Sequence, residues 1–222
     1  MRLEITNLSC VRGGRRVFEG VVFEAGAGAF AALRGPNGSG KSTLLRAICG
    51  LVGSEGGDVR VGEASLRSDR EALQEQVVYA GHLDAVKPQM TVEENLDFWR
   101  RLYGGGATVA AALERFDLAH IADAPAAYCS AGQKRRLGLA RLAVSERPLW
   151  LLDEPTVSLD AANVAVFAEL VRAHCAAGGI ALVATHVDLG RAPDLELQME
   201  PFQPASRDAA SADPFLQGEG WT

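Results

Sequence analysis

An α/β fold of the phosphate-loop nucleotide-binding type is what this 222-residue sequence predicts, and three observations carry it. The stretch Gly35, Pro36, Asn37, Gly38, Ser39, Gly40, Lys41, Ser42, Thr43 fits G-x-x-x-x-G-K-[ST] at every fixed position. The apolar run Phe30 to Leu33 precedes it, and a helical pattern from Lys41 that Gly50 ends follows it, which is the strand–loop–helix context the motif needs. Leu149-Trp150-Leu151-Leu152 and Ile180 to Ala184 are continuous apolar runs, suited to parallel strands buried on both faces.

In chain order, Leu3, Ile5 and Leu8 alternate with polar residues as a strand does, and Val17-Phe18 with Val21-Val22-Phe23 suggests a second strand beyond Gly13-Gly14. An N-terminal antiparallel β subdomain is expected there. After the loop's helix, Gly53 to Gly57 reads as a turn, then Asp58 to Val61 and Val77 to Ala80 as strands. Thr91 with Glu94 is a capping box, opening a helix to about Leu102 that stops at Gly104-Gly105-Gly106. A second helix is expected from about Val109 to Phe116, with a break at Pro125, and a third from Ala131 to about Ser145. These place a small helical subdomain at about 84–145. Asp160 caps a helix from Ala161 to Ala177, Gly178 lies past its end, and Leu195, Leu197 and Met199 alternate like an edge strand. One ATP-binding domain is expected over 1–199. From about Pro201 the composition turns to Pro, Ala, Ser, Asp and Gly, so 200–222 is read as a mobile tail without chemistry.

Hydrophobic residues at 48% and charged residues at 23% describe an ordinary globular chain, and the net charge of −6 argues against nucleic acid as a partner. Cys10, Cys49, Cys129 and Cys175 are far apart and form no C-x-x-C pair, which reads as buried thiols rather than metal ligands or bridges. No signal peptide is visible behind Met1-Arg2-Leu3-Glu4-Ile5. The longest stretch free of Asp, Glu, Lys and Arg runs from Ala173 to Val187, short of the roughly 20 residues of a spanning helix. Membrane association is expected only through a partner.

The chemistry starts at the loop. Gly35, Gly38 and Gly40 let the backbone curl and aim N–H groups inward, beside a helix N-terminus carrying roughly half a positive charge. Lys41 can reach the β- and γ-phosphates and Ser42 can ligate Mg²⁺, so the expected ligands are ATP and Mg²⁺. The bland alternative is a Gly-rich turn with an exposed lysine. Leu151-Leu152-Asp153-Glu154-Pro155 puts two acids at a strand exit, where Asp153 can hold Mg²⁺ and Glu154 can orient or deprotonate water; adjacent acids there can also merely cap the next helix. Cys129-Ser130-Ala131-Gly132-Gln133 offers a hydroxyl and small residues at a helix start, either an anion site or an ordinary Ser N-cap.

Ser130, Ala131, Gly132 and Gln133, lying between the phosphate loop and Asp153-Glu154 and followed by Lys134-Arg135-Arg136, strongly resemble the nucleotide-binding subunit of ATP-binding cassette (ABC) transporters. Cys129 stands for the usual Leu of that signature and Ala131 for its first Gly. The resemblance implies a head-to-tail dimer of two copies with two ATPs between them, each held by Gly35–Thr43 of one chain and by Ser130–Gln133 of the other. It implies that Ser158, Leu159 and Asp160 cross the seam and that His186, after Thr185, is the switch histidine; a lone His after a buried strand can equally be structural. Two positions depart from the pattern. His82 stands where the family carries a Gln that contacts Mg²⁺ and water, and only a neutral imidazole replaces part of that role. Arg12 stands about where an aromatic stacks on adenine, and a guanidinium can also stack on a ring face.

Gly81-His82 leading to Lys87, Thr91 to Leu96, Ser130 to Arg136 and Leu149 to Pro155 look like the ATP-binding subunit of the cytochrome c maturation haem exporter (the CcmA family), although Thr156 stands where an aromatic is usual. What this implies is a peripheral ATPase on the cytoplasmic face of the bacterial inner membrane, bound to integral permease subunits of a cytochrome c maturation complex and driving haem export or delivery. The other readings are a transporter subunit for a different cargo, a soluble cassette ATPase acting on nucleic acid or ribosomes, and a small-molecule kinase. The kinase reading leaves Ser130–Gln133 without a purpose.

Overall fold

The computed structural model describes residues 1–204, and 205–222, most of the stretch read as a tail, lie outside the described residues. Its elements in chain order are β1 (Arg2–Arg12), β2 (Arg15–Gly26), β3 (Phe30–Arg34), α1 (Lys41–Ile48), β4 (Gly56–Val61), β5 (Ala64–Ser65), α2 (Arg70–Glu75), β6 (Val77–Ala80), α3 (Val92–Tyr103), α4 (Val109–Arg115), α5 (Ala131–Ala143), β7 (Leu149–Asp153), α6 (Ala161–Ala176), β8 (Ile180–Ala184) and β9 (Leu195–Gln198).

The alternating N-terminal segments form an antiparallel sheet in the order β2-β1-β4-β5. The apolar runs form a second, parallel sheet in the order β6-β7-β8-β3-β9. Every residue of β7 and β8 is buried. Period-2 alternation sorts their side chains between two cores. Val77, Leu149, Leu151, Ile180, Leu182 and Ala184 face a core shared with α1 and the antiparallel sheet. Val78, Ala80, Trp150, Leu152, Ala181 and Val183 face the other, shared with α3, α4, α5 and α6. The helix after the phosphate loop is thus sandwiched between two sheets, which fixes the loop at the carboxyl edge of β3.

Local chemistry sets the helix ends. Thr91 Oγ1 accepts from the Glu94 N–H at 3.1 Å while Glu94 Oε2 accepts from the Thr91 N–H at 2.8 Å, and Gly104 closes α3 in the left-handed region. Asp160 Oδ1 accepts from the Asn163 N–H at 2.8 Å and starts α6. The helix from Ala131 ends at Ala143, two residues short of the expected end. Two elements carried no expectation, β5 and α2, of two and six residues, too short for periodicity to register. β9 does sit at a sheet edge. Glu200–Phe202, included in the tail by composition, form a 3₁₀ turn, and Phe202 packs on the first core.

At the opposite end of the sheet, the His174 ring stacks on Trp150 with centroids 3.7 Å apart and planes 8° apart, and its Nε2 lies 3.3 Å from the Ile180 carbonyl. Burial holds the imidazole neutral, lowering its pKa from 6.5 to about 4. The unfolded chain therefore binds more protons than the folded one between those values, so this residue makes stability fall as pH drops from about 6.5 to about 4. Replacing it, His174→Phe, is expected to flatten the pH dependence of the urea midpoint in that window relative to wild type.

Candidate functional site

Gly40 adopts φ +100, a conformation that strains any other residue, and a Cβ there would crowd the Val17 side chain at 2.9 Å. That turn shapes a cleft of about 250 Å³ lined by Val17, Asn37, Gly38, Gly40, Lys41, Ser42, Thr43, Asp153 and Glu154. Gly35, Pro36 and Ser39 are not among its lining. Ser39 is buried, and Lys41 Nζ donates to the carbonyls of Gly35 at 2.6 Å and Pro36 at 3.1 Å, tying the ammonium to the loop. A lysine, backbone N–H groups at a helix start and a hydroxyl suit a phosphate chain, and the carboxylates opposite suit a cation that accompanies it.

Ser42 Oγ donates to Asp153 Oδ1 at 2.9 Å. Tyr79 Oη donates to Asp153 Oδ2 at 3.2 Å and accepts from Arg46 Nε at 3.1 Å. Burial raises the Tyr79 pKa, which keeps the phenol protonated as a donor. Arg46 and Tyr79 were missed from sequence. Pairing β6 with β7 sets Tyr79 beside Leu151, so its ring shares a face with Asp153 two residues on, a diagonal the sequence alone does not display. The hydroxyl–carboxylate pair of Ser42 and Asp153 is an all-oxygen donor set suited to a hard cation such as Mg²⁺.

Glu154 has φ +49, an uncommon conformation for a side-chain-bearing residue that costs on the order of 1–3 kcal/mol. Its N–H donates to the Ala184 carbonyl at 2.8 Å. His186 Nε2 lies 3.6 Å from Glu154 Oε1, with most of the ring in solvent. Thr156, where an aromatic is usual, is buried and shares a hydrogen bond of 3.1 Å with Thr185 Oγ1, which also accepts from the Val187 N–H. The strand-end loops carrying Glu154 and His186 are therefore stitched together by two hydroxyls.

Arg12, His82 and His186, all expected here, do not line this cleft. Arg12 is exposed at the hairpin tip opposite Arg15, and Val17 occupies the wall instead. His82 is exposed on the loop after β6.

Ser130 and Gln133 form a capping box: Ser130 Oγ accepts from the Gln133 N–H at 3.2 Å, and Gln133 Oε1 accepts from the Ser130 N–H at 2.7 Å. The Ser130 hydroxyl still has its own proton to give. Ser130, Gly132 and Gln133, with Ala131 beside them on the first turn, lie on a second cleft of about 430 Å³ that also takes in Arg115, Arg136, Ser158 and Asp160. Hydrogen bonds from Asn163 hold Asp160 below the usual carboxylate range. The two clefts share no residue.

The ABC transporter family profile matches residues 18–157. The cytochrome c biogenesis ATP-binding export protein CcmA of Cereibacter sphaeroides is 50% identical over 218 residues, covering 97% of this chain and 98% of that one. The chain belongs to the ABC transporter family. A second ABC relative, the CcmA protein of Paracoccus denitrificans, is 50% identical over 202 residues and 90% of each chain. Among solved structures, the ATP-binding subunit of an ABC transporter superimposes with a TM-score of 0.75 at 28% identity, over 84% of this chain and 80% of that one. ABC ATP-binding chains bind ATP, pair with one another and attach to membrane subunits; in this one, no helix among the described residues is long and apolar enough to cross a membrane.

The capping geometry alone gives Ser130 a structural value. Ser130→Ala is expected to cost about 1 kcal/mol in a urea titration, the usual price of losing such a cap. A loss of ATPase activity greater than tenfold in the same variant would show that the hydroxyl does more than start α5.

Proposed function

We propose that this chain is the ATP-hydrolysing subunit of a membrane complex that exports or delivers haem for c-type cytochrome assembly. The observation that carries the ATPase part is the cleft itself, which gathers Lys41, Ser42 and Thr43 opposite Asp153 and Glu154. The cargo part is supported by the two CcmA relatives, matched over nine-tenths or more of both chains.

In this reading the loop N–H groups and Lys41 bind the β- and γ-phosphates, and Glu154 accepts the proton of the attacking water. His186, whose Nε2 lies 3.6 Å from Glu154 Oε1, orients Glu154 and the terminal phosphate. Ser42 and Asp153, joined at 2.9 Å, are the protein oxygens that would hold Mg²⁺. Mg²⁺, when bound, supplies neutralisation of the phosphate charge. Two separate clefts, one with the phosphate loop and one with Ser130, Gly132 and Gln133, suit a head-to-tail pair in which each copy completes the other's ATP site. Ser158 and Asp160 then line the seam. The docking site is the cytoplasmic face of the inner membrane, on integral permease subunits.

Glu154→Gln is expected to lower turnover by about 10²–10⁴, or roughly 3–5 kcal/mol, with ATP binding spared. Normal hydrolysis by that variant removes Glu154 from the chemistry. The cargo is tested by tagging the chain, extracting it gently from membranes and identifying what comes with it. Integral partners with bound haem are expected; nucleic acid, or a permease carrying another cargo, overturns the haem assignment.

A further inference from the structure

We propose that Arg135 is the positioning residue through which helix α5 sets Glu154 for hydrolysis, an inference that rests on the role given to Glu154 above. Its guanidinium is buried, 8% exposed, and touches two separate segments. Nη2 donates to the Glu154 carbonyl at 2.6 Å, and Nε to the Pro155 carbonyl at 3.2 Å. Nη1 donates to the Gly81 carbonyl at 3.3 Å and to Asp84 Oδ1 at 3.0 Å.

Glu154 thereby has both of its backbone polar groups held, the N–H by the end of β8 and the C=O by Arg135. A residue in the left-handed region keeps that conformation only when its surroundings over-determine it. Arg135 supplies the half of that constraint that comes from outside the parallel sheet. The other half of its grip falls on the loop that carries His82. One turn further along α5, a Cβ at Gly138 would stand 2.7 Å from the Asp84 carbonyl, so helix and loop are in backbone contact and cannot slide independently.

The same helix begins at Ser130, whose hydroxyl and first turn line the second cleft. An α-helix moves as a rigid unit over two turns, so a ligand that shifts Ser130 shifts the Arg135 fork with it. The fork then moves the Glu154 carbonyl. Only an arginine does this: its donors are spread in a plane that reaches all four acceptors at once, whereas a lysine concentrates three protons at one point. A bare charge pair with Asp84 would leave the three carbonyl contacts without a purpose.

The test uses the full chain with Arg135→Lys, Glu154→Gln and the double variant. Binding of a fluorescent ATP analogue, single-turnover ATP hydrolysis and thermal unfolding are measured on each. Arg135→Lys is expected to lower the hydrolysis rate on the order of tenfold while the analogue Kd stays within about twofold, and to add little in the Glu154→Gln background. If Glu154→Gln is crippled but Arg135→Lys hydrolyses normally, or its loss multiplies with that of Glu154→Gln, the positioning role fails and the Glu154 reading stands. If Glu154→Gln hydrolyses normally, both fail. Loss of rate and binding together, in step with a lower Tm, marks Arg135 as merely structural. Should Arg135→Lys not fold, Asp84→Asn decides, because it loosens the fork and leaves the three carbonyls in place. A slower rate at unchanged Kd is then expected, and an unchanged rate overturns the proposal.

Discussion

A parallel sheet has no face it can leave to water, because its strands are apolar on both sides, and that constraint organises the molecule. β7 and β8 are buried at every position, so both faces of the sheet have to be covered. One face takes α1 and the antiparallel sheet, and the other takes α3 to α6. What is left open is the carboxyl edge. The phosphate loop, Asp153, Glu154 and His186 all emerge there, because the strand ends are where the chain must leave the core and its polar groups can meet solvent and ligand.

The site is built largely from backbone held in unusual states. The loop turns at Gly40 at a positive φ that strains any residue with a side chain, and Glu154 sits in the left-handed region between hydrogen bonds to β8 and to Arg135. Side chains then act as braces. Tyr79 and Ser42 occupy one oxygen each of Asp153, and Thr156 ties the Glu154 loop to Thr185. Buried arginines bind α5 to the sheet: Arg135 as described, and Arg141 through a 2.8 Å hydrogen bond to the Tyr79 carbonyl. The helix that starts at Ser130 is thereby anchored to the same strands whose ends carry the acids.

Much of this was legible in the residues. The phosphate loop, both buried runs, the capping boxes at Thr91 and the helix start at Ser130 are local signals, readable because each depends on neighbours within four residues. Arg12 illustrates the limit: its place along the chain says nothing of how far the hairpin tip, where it pairs with Arg15, stands from the phosphate cleft, whose lining includes Val17 instead. Tyr79 and Arg46 were invisible because each one's partner, Asp153 for Tyr79 and Tyr79 for Arg46, is far away in sequence. Arg135 entered only as a neighbour of the Ser130–Gln133 stretch, with no role of its own, whereas the fold buries it against four acceptors.

By itself the sequence determined the class of ligand, the strand–loop–helix that grips it and the identity of the acids, since these follow from glycine freedom, helix-end charge and the alternation of apolar residues. Only the tertiary structure decided which distant groups brace them, which face of each helix is buried and which candidates stay outside the cleft. The reason is that strand order and register bring residues together across tens to more than a hundred positions, and no local pattern encodes that distance.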